Sequence, residues 1–306
     1  MSTIEKAAAR LGNQPAVQTT PDNPTGSGQG LPPLDISPDN LGGNKVAGIQ
    51  STAYTPDVVE LDIKELIDRG FLSPKSGRSQ LAQDLRRIKR PLLLHAQKTA
   101  VLESSTHPGN LIMVTSALPG EGKTFISINL AISIAAEMDR RVLLVDGDLA
   151  KGDVARQLGI DVDRGLSDIL QEANFFSEDG VLTTNIDRLS ILPSGKPHEQ
   201  TDELFASSLM HEIVDRLAKE DPSRIVIFDA PPLLATTEAA VLAGLMGQIV
   251  MVVESNNTPQ SAVLEGLHQL EQCESVSLLL NKSSKGNLTS YGYGYTDDAD
   301  SESAVN

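Results

Sequence analysis

In the middle of the chain, apolar residues come in short unbroken runs. Three of these lie at residues 111–114, 142–145 and 225–228; the second and third run straight into Asp, and Pro119, Gly120 and Gly122 follow the first. Apolar runs without alternation are what strands need when a sheet is covered on both faces. Further runs at 189–195, 248–254 and 276–282 read as strands of the same kind. The stretches between them, from Thr124 onward and at 203–220, 236–247 and 259–273, carry apolar residues at helical spacing. Strand and helix in alternation predict an α/β fold of the P-loop NTPase type: a doubly wound, mostly parallel sheet with helices on both faces.

The flanks break this rhythm. Residues 1–55 are rich in Pro, Gly, Ser, Asn and Gln and have no sustained apolar period, so a disordered N-terminal arm is expected. Residues 56–100 are expected to be a helical segment. It comprises a small helix stopped by Gly70 and a basic helical stretch, with Arg86, Arg87, Lys89 and Arg90, that ends or kinks at Pro91. Those four cations form either a solvated face or a docking surface for a neighbouring subunit or an acidic partner segment. The main domain is expected at 101–285, followed by a flexible, acidic, tyrosine-rich tail at 286–306.

The first strand leads into chemistry. Pro119, Gly120 and Gly122 break the run, and the helix begins at Thr124. Glycines there let the loop Pro119-Gly120-Glu121-Gly122-Lys123-Thr124-Phe125 turn its backbone N–H groups, which Pro119 lacks, around phosphate oxygens, and the helix N-terminus adds its dipole. Lys123, a solvent-facing loop side chain on this reading, reaches the β- and γ-phosphates, and the Thr124 hydroxyl serves Mg²⁺. The usual G-x-x-x-x-G-K-[ST] spacing has Ala117 in place of its first glycine, a small-residue variant.

The other two strands end in Asp146 and Asp148, and in Asp229. Ligands sit at the carboxyl ends of parallel strands, so these carboxylates are expected to converge on the phosphate loop. Asp148 and Asp229 suit Mg²⁺, which takes one or two protein ligands besides phosphate. The bland reading, that each aspartate caps a turn, holds for one strand better than for three together.

TSALPGEGKT, VLLVDGD and IVIFDAPP, followed by YGYGY, resemble the Walker A, Walker A′ and Walker B motifs and the tail of the bacterial tyrosine kinases (BY-kinases) of exopolysaccharide export. The resemblance spans roughly residues 81–295. RRIKRPLL and the Tyr-Gly tail are similar in particular to the stand-alone autokinases of exosortase (PEP-CTERM) clusters. It implies transfer of the ATP γ-phosphoryl to Tyr291, Tyr293 and Tyr295, with Lys123, Asp146, Asp148 and Asp229 as catalytic residues and Thr124, Asp148 and Asp229 at the metal. Asp146 is the candidate to accept the tyrosine proton, a role it can exchange with Asp148; a phenol with pKa near 10 needs such help. The resemblance also implies a homo-oligomer with transfer between subunits. A transmembrane polysaccharide co-polymerase would be the activating partner, recruiting a cytoplasmic enzyme to the inner face of the membrane. Asn281 corresponds to a residue that contacts the adenine edge in related P-loop ATPases; a turn-forming role is the alternative. The chain departs from the family twice: Ala150 and Lys151 stand where it often has Arg after Walker A′, and Gln83, Arg86 and Lys89 stand for Glu-x-x-Arg-x-x-Arg, which weakens any oligomer contact carried over through that second motif.

Composition narrows the field. A net charge of −16 opposes nucleic acid as the main partner. The single Cys273 supports neither a disulfide framework nor a metal pattern, and His211 and His268 have no ligand spacing around them. A MinD/ParA-like ATPase shares the fold but carries a lysine early in the loop, where this chain has Leu118. A nucleotide-responsive scaffold without kinase activity stays as a second alternative, and a nucleotide-dependent ligase finds no second substrate motif.

Overall fold

The computed structural model describes residues 58–75, 79–101, 107–172, 180–196, 205, 207–221 and 223–283. Among these, eight strands form one sheet in the order β1-β4-β5-β3-β6-β2-β7-β8. The central strands are β2 (Leu111–Ser116), β3 (Arg141–Asp146), β6 (Arg224–Asp229) and β7 (Gln248–Glu254), with β5 (Leu189–Leu192) on one side and β8 (Val276–Asn281) at the far edge. All five pairings among these six strands are parallel. The short β4 (Leu182–Thr184) pairs antiparallel with β5, and β1 (Val58–Val59) runs parallel to β4.

Alternate residues of each central strand feed two separate cores. Ile112, Val114, Val142, Leu144, Ile225 and Ile227 face one, whereas Leu111, Met113, Leu143, Val145, Val226 and Phe228 face the other. This two-sided burial is why the runs 111–114, 142–145 and 225–228 contain no polar residue. The first core is closed by helices α1 (Ile63–Asp68), α2 (Gln80–Val101), α3 (Lys123–Ala135) and α4 (Asp153–Leu158). The second is closed by α5 (Leu166–Glu172), α6 (Ser208–Lys219), α7 (Glu238–Ala243) and α8 (Gln260–Gln269).

α3 is the most enclosed helix, buried at twelve of its positions. It lies between the sheet and the N-terminal helices, which explains its nearly continuous apolar sequence. Asp62 caps α1 by accepting from the N–H groups of Lys64 and Glu65, and the chain beyond it stacks Phe71 on Phe125 with ring centroids 5.1 Å apart. Asn129 of α3 accepts the Leu72 N–H at 2.7 Å. The expectation of helix alone before residue 100 misses β1, a two-residue strand too short to show a period.

Pro91 does not end the basic helix. α2 runs through it to Val101, although a proline removes one backbone hydrogen bond and costs about 3 kcal/mol in a helix interior. Packing on both sides of the proline offsets that cost. Leu85, Leu92 and Ala96 are buried, and Gln248 of β7 donates to the Leu92 carbonyl at 3.0 Å. Lys89 lies on the same stripe and points inward. Its ammonium donates to the Ser133 carbonyl at 2.7 Å and pairs with Glu137 at 2.5 Å. Those groups sit at the C-terminal end of α3, where a cation meets unpaired carbonyls and the negative end of the dipole. Lys89 therefore belongs to the packing of α2 on α3 and not to an exposed basic surface. Arg87 and Arg90 are exposed.

The arm at 1–55, Tyr54 and the tail with Tyr291, Tyr293 and Tyr295 lie outside the described residues. No described helix is long and apolar enough to cross a membrane.

Candidate nucleotide and phosphoryl-transfer site

Parallel register brings the acidic strand ends together. Asp146 and Asp229 are direct partners across β3 and β6, and Asp229 is also the partner of Val114 on β2, two residues before that strand ends. Asp148 follows in the turn to α4. Gly147 between the two aspartates packs on β6, its N–H donating to the Asp229 carbonyl at 2.8 Å, where a Cβ would press on that oxygen. All three carboxylates are nearly or fully removed from solvent.

The phosphate loop leaves β2 and turns back over these ends. Gly120 and Gly122 take φ of +88° and +95°, a region costly for residues with a Cβ. Gly122 is the N-cap of α3, so Lys123 and Thr124 occupy its first turn. The Lys123 ammonium lies 2.9 Å from Asp148 Oδ2 and 3.6 Å from Asp229 Oδ2. Lys123 is thus buried among carboxylates, contrary to the expectation of a solvent-facing side chain: helix phase turns it toward the strand ends. The Thr124 hydroxyl donates to Asp229 Oδ2 at 2.7 Å.

Ser127 completes the cluster. Its hydroxyl lies 2.9 Å from Asp229 Oδ1 and 3.0 Å from the Lys123 carbonyl, so one hydrogen serves two acceptors. The sequence carried a signal for it, a hydroxyl four residues after Lys123 on an otherwise apolar helix face.

Three carboxylates share one ammonium, and the electrostatics reflect that imbalance. Burial pushes Asp146 up to about 8, with the charge of Asp229 adding to the shift, against hydrogen bonds from the N–H groups of Val154 and Asp148. Burial also raises Asp229, despite Lys123 and the two hydroxyls. Burial disfavours the Lys123 charge, yet Asp229 and Asp148 outweigh it and hold the ammonium above its ordinary pKa. Hard oxygen donors with surplus negative charge fit a divalent cation such as Mg²⁺. Among the described residues no group of three or more His, Cys, Asp or Glu forms a metal cage. Mg²⁺ needs none, since phosphates and waters fill most of its shell.

Other predicted positions are arranged differently from their simplest reading. Pro119 is exposed, and Phe125 turns its ring to Phe71, so it offers the loop only its backbone. The Glu121 carboxylate points into the protein. Its Oε2 accepts the Leu118 N–H at 2.7 Å, and its Oε1 accepts the Glu254 N–H at 3.2 Å and the Thr258 hydroxyl. Asn281 ends β8 beside the loop, with its amide nitrogen donating to the Glu121 carbonyl at 2.9 Å. Lys151 pairs with Asp153 at 3.0 Å, outside the carboxylate cluster. Cys273 is half-buried with its Sγ 3.6 Å from the Ala243 carbonyl, a packing position.

The chain is similar to known proteins over this region. A family model described as AAA domain matches residues 109–285. The tyrosine-protein kinase YwqD of Bacillus subtilis is 33% identical over 190 residues, covering 61% of this chain and 78% of the relative. The putative tyrosine-protein kinase AmsA of Erwinia amylovora is 31% identical over 186 residues, but the match covers only 25% of that longer protein. Among solved structures, the kinase domain of the Escherichia coli tyrosine kinase ETK superposes with a TM-score of 0.63 over 78% of this chain and 93% of that one, at 24% identity.

Proposed function

The chain belongs to the bacterial tyrosine-protein kinases, built on an AAA domain, and from that membership we propose that it is an autokinase of exopolysaccharide synthesis or export, transferring the ATP γ-phosphoryl to Tyr291, Tyr293 and Tyr295 of its own tail. The observation that carries the proposal is Lys123, buried between Asp148 and Asp229 at the mouth of a glycine loop. A cation in a water-poor site beside inward-turned amides stabilises charge on a transferring phosphoryl group far better than it would in water.

The roles divide as follows. Loop amides from Gly120 to Thr124 cradle the phosphates, and Lys123 exchanges its carboxylate partners for the β- and γ-phosphates. Mg²⁺, when bound, supplies charge neutralisation between those phosphates. Thr124 and Asp229 would hold it with Asp148, directly or through water. Asp146 and Asp148 are the two candidates to take the tyrosine proton; both belong to the carboxylate cluster, Asp146 as the last residue of β3 and Asp148 in the turn that follows. As in the family it resembles, transfer runs between subunits of a homo-oligomer. A membrane-spanning co-polymerase-type partner recruits this cytoplasmic chain to the inner membrane face.

Incubation of the purified chain with ATP and Mg²⁺, followed by intact-mass measurement, tests the reading. Phosphoryl increments should appear in the wild type, vanish in Lys123→Met, and fall steeply when Tyr291, Tyr293 and Tyr295 are all changed to Phe, with ATP affinity preserved. Phosphate found mainly on Tyr54 would refute the tail assignment. Mixing full-length Lys123→Met with an active chain truncated before Tyr291 should label the Lys123→Met chain. Self-modification at a rate independent of concentration, with no labelling in the mixture, would exclude transfer between subunits.

A further inference from the structure

The glycines that shape the phosphate loop leave its peptide planes free to turn. Gly120 and Gly122 populate both signs of φ at similar energy, so the units joining Gly120 to Glu121 and Glu121 to Gly122 need an outside restraint to face one way. Two neighbouring residues at the end of β8 supply one donor to each unit. The Lys282 ammonium donates to the Gly120 carbonyl at 2.7 Å, and the Asn281 amide donates to the Glu121 carbonyl at 2.9 Å. A peptide unit is planar and trans, so a carbonyl held toward β8 sends the N–H of the same unit the opposite way. Those N–H groups belong to Glu121 and Gly122. Among the described residues no protein acceptor takes either of them.

The donors are themselves anchored. Lys282 sits at φ +55°, in the left-handed region that a side chain enters only at a cost, and its ammonium also pairs with Glu254 at 3.1 Å. Glu254 is the register partner of Asn281 across β7 and β8. The Lys282 ammonium, with Asn257, holds the Glu254 carboxyl below its usual range. A Cβ placed on Gly122 would run into the Asn281 amide, so loop and side chain are seated against each other. The Glu121 carboxylate meanwhile ties the loop to the Leu118 and Glu254 amides.

We infer that Asn281 and Lys282 are positioning residues for the nucleotide phosphates: they fix the two peptide planes that aim the Glu121 and Gly122 N–H groups. The inference rests on the nucleotide site proposed above and assigns the Asn281 amide nitrogen to the loop carbonyl it meets. Binding through aimed amides depends on phosphate and is indifferent to the base.

The test compares full-length wild type with Lys282→Met, Lys282→Arg and Asn281→Ala. Calorimetry would give affinities for the Mg²⁺ complexes of ATP, GTP and inorganic tripolyphosphate, alongside thermal unfolding of the ligand-free chains. Loss of one hydrogen bond with a charged donor should weaken all three ligands by a common factor of about 10 in Lys282→Met. Asn281→Ala should show a smaller loss, again the same for all three. Lys282→Arg should recover most of the affinity, and ligand-free unfolding should not move, because the Lys282 side chain is 47% exposed. A loss confined to ATP would instead make Asn281 a base contact and overturn the inference. So would a fall in ligand-free unfolding temperature with ligand affinities unchanged. Wild type that binds none of the three would sink the nucleotide site itself, whereas variants that match a binding wild type would sink only this inference.

Discussion

At the ends of β3 and β6 three carboxylates are drawn out of solvent around Lys123, while on α2 four cations within five residues are divided between interior and surface. Both are charge clusters following apolar residues in sequence, and the fold treats them by different geometry. Parallel register places Asp146 and Asp229 side by side whatever their side chains prefer, so their repulsion must be met by Lys123, Thr124 and Ser127. Helix phase instead gives each cation its own direction. Lys89 falls four residues after Leu85 and three before Leu92, on the buried stripe, whereas Arg87 and Arg90 fall off it. A strand end concentrates charge, and a helix disperses it. Concentrated charge is where binding and catalysis are to be found.

Breaking the strand-end cluster should have the largest effect. Asp229→Asn keeps the shape but removes the charge that Thr124, Ser127 and Lys123 all address, so phosphotyrosine formation should fall roughly 10²–10³-fold, as for other single electrostatic contacts at a reacting group. Radiolabel incorporation from ATP measures it. Lys123→Met should abolish activity and also destabilise the ligand-free chain by about 3 kcal/mol near neutral pH, because it strands buried carboxylates without their cation. That cost should shrink as pH falls and the carboxyls take up protons, which urea unfolding at two pH values would reveal. An unchanged stability would mean that water enters the cluster freely.

The helical cluster should respond in stability and not in chemistry. Lys89→Met removes a charged hydrogen bond to α3 and should cost about 1.5–3 kcal/mol, while Arg87→Met should stay within about 0.5 kcal/mol. Equal costs would erase the distinction between inward and outward cations. Smaller still, Ser127→Ala should raise the KM for ATP a few-fold, about what one neutral hydrogen bond supplies, with kcat little changed. Last, if the outward cations mediate docking, Arg87→Glu with Arg90→Glu should weaken self-association, and added salt should mimic it. Sedimentation profiles identical for wild type and the double variant would leave these arginines as a solvated face.

The sequence by itself determined the central strands, their order of chemistry and the identity of the loop. Unbroken apolar runs ending in Asp have few ways to fold, and glycine with Lys-Thr before an apolar helix has a direct physical reading. Lys89 was legible in principle, through its phase with Leu85 and Leu92, but a run of cations masks phase when read as a block. What only the tertiary structure decided depends on distant partners. The inward turn of Glu121 requires the β7 turn with Glu254 and Thr258, and the continuation of α2 through Pro91 requires α3 and Gln248. The docking of Asn281 and Lys282 on the loop joins residues 160 and 162 positions apart. Local propensity is blind to such contacts, because their free energy exists only once the fold has brought these distant segments together.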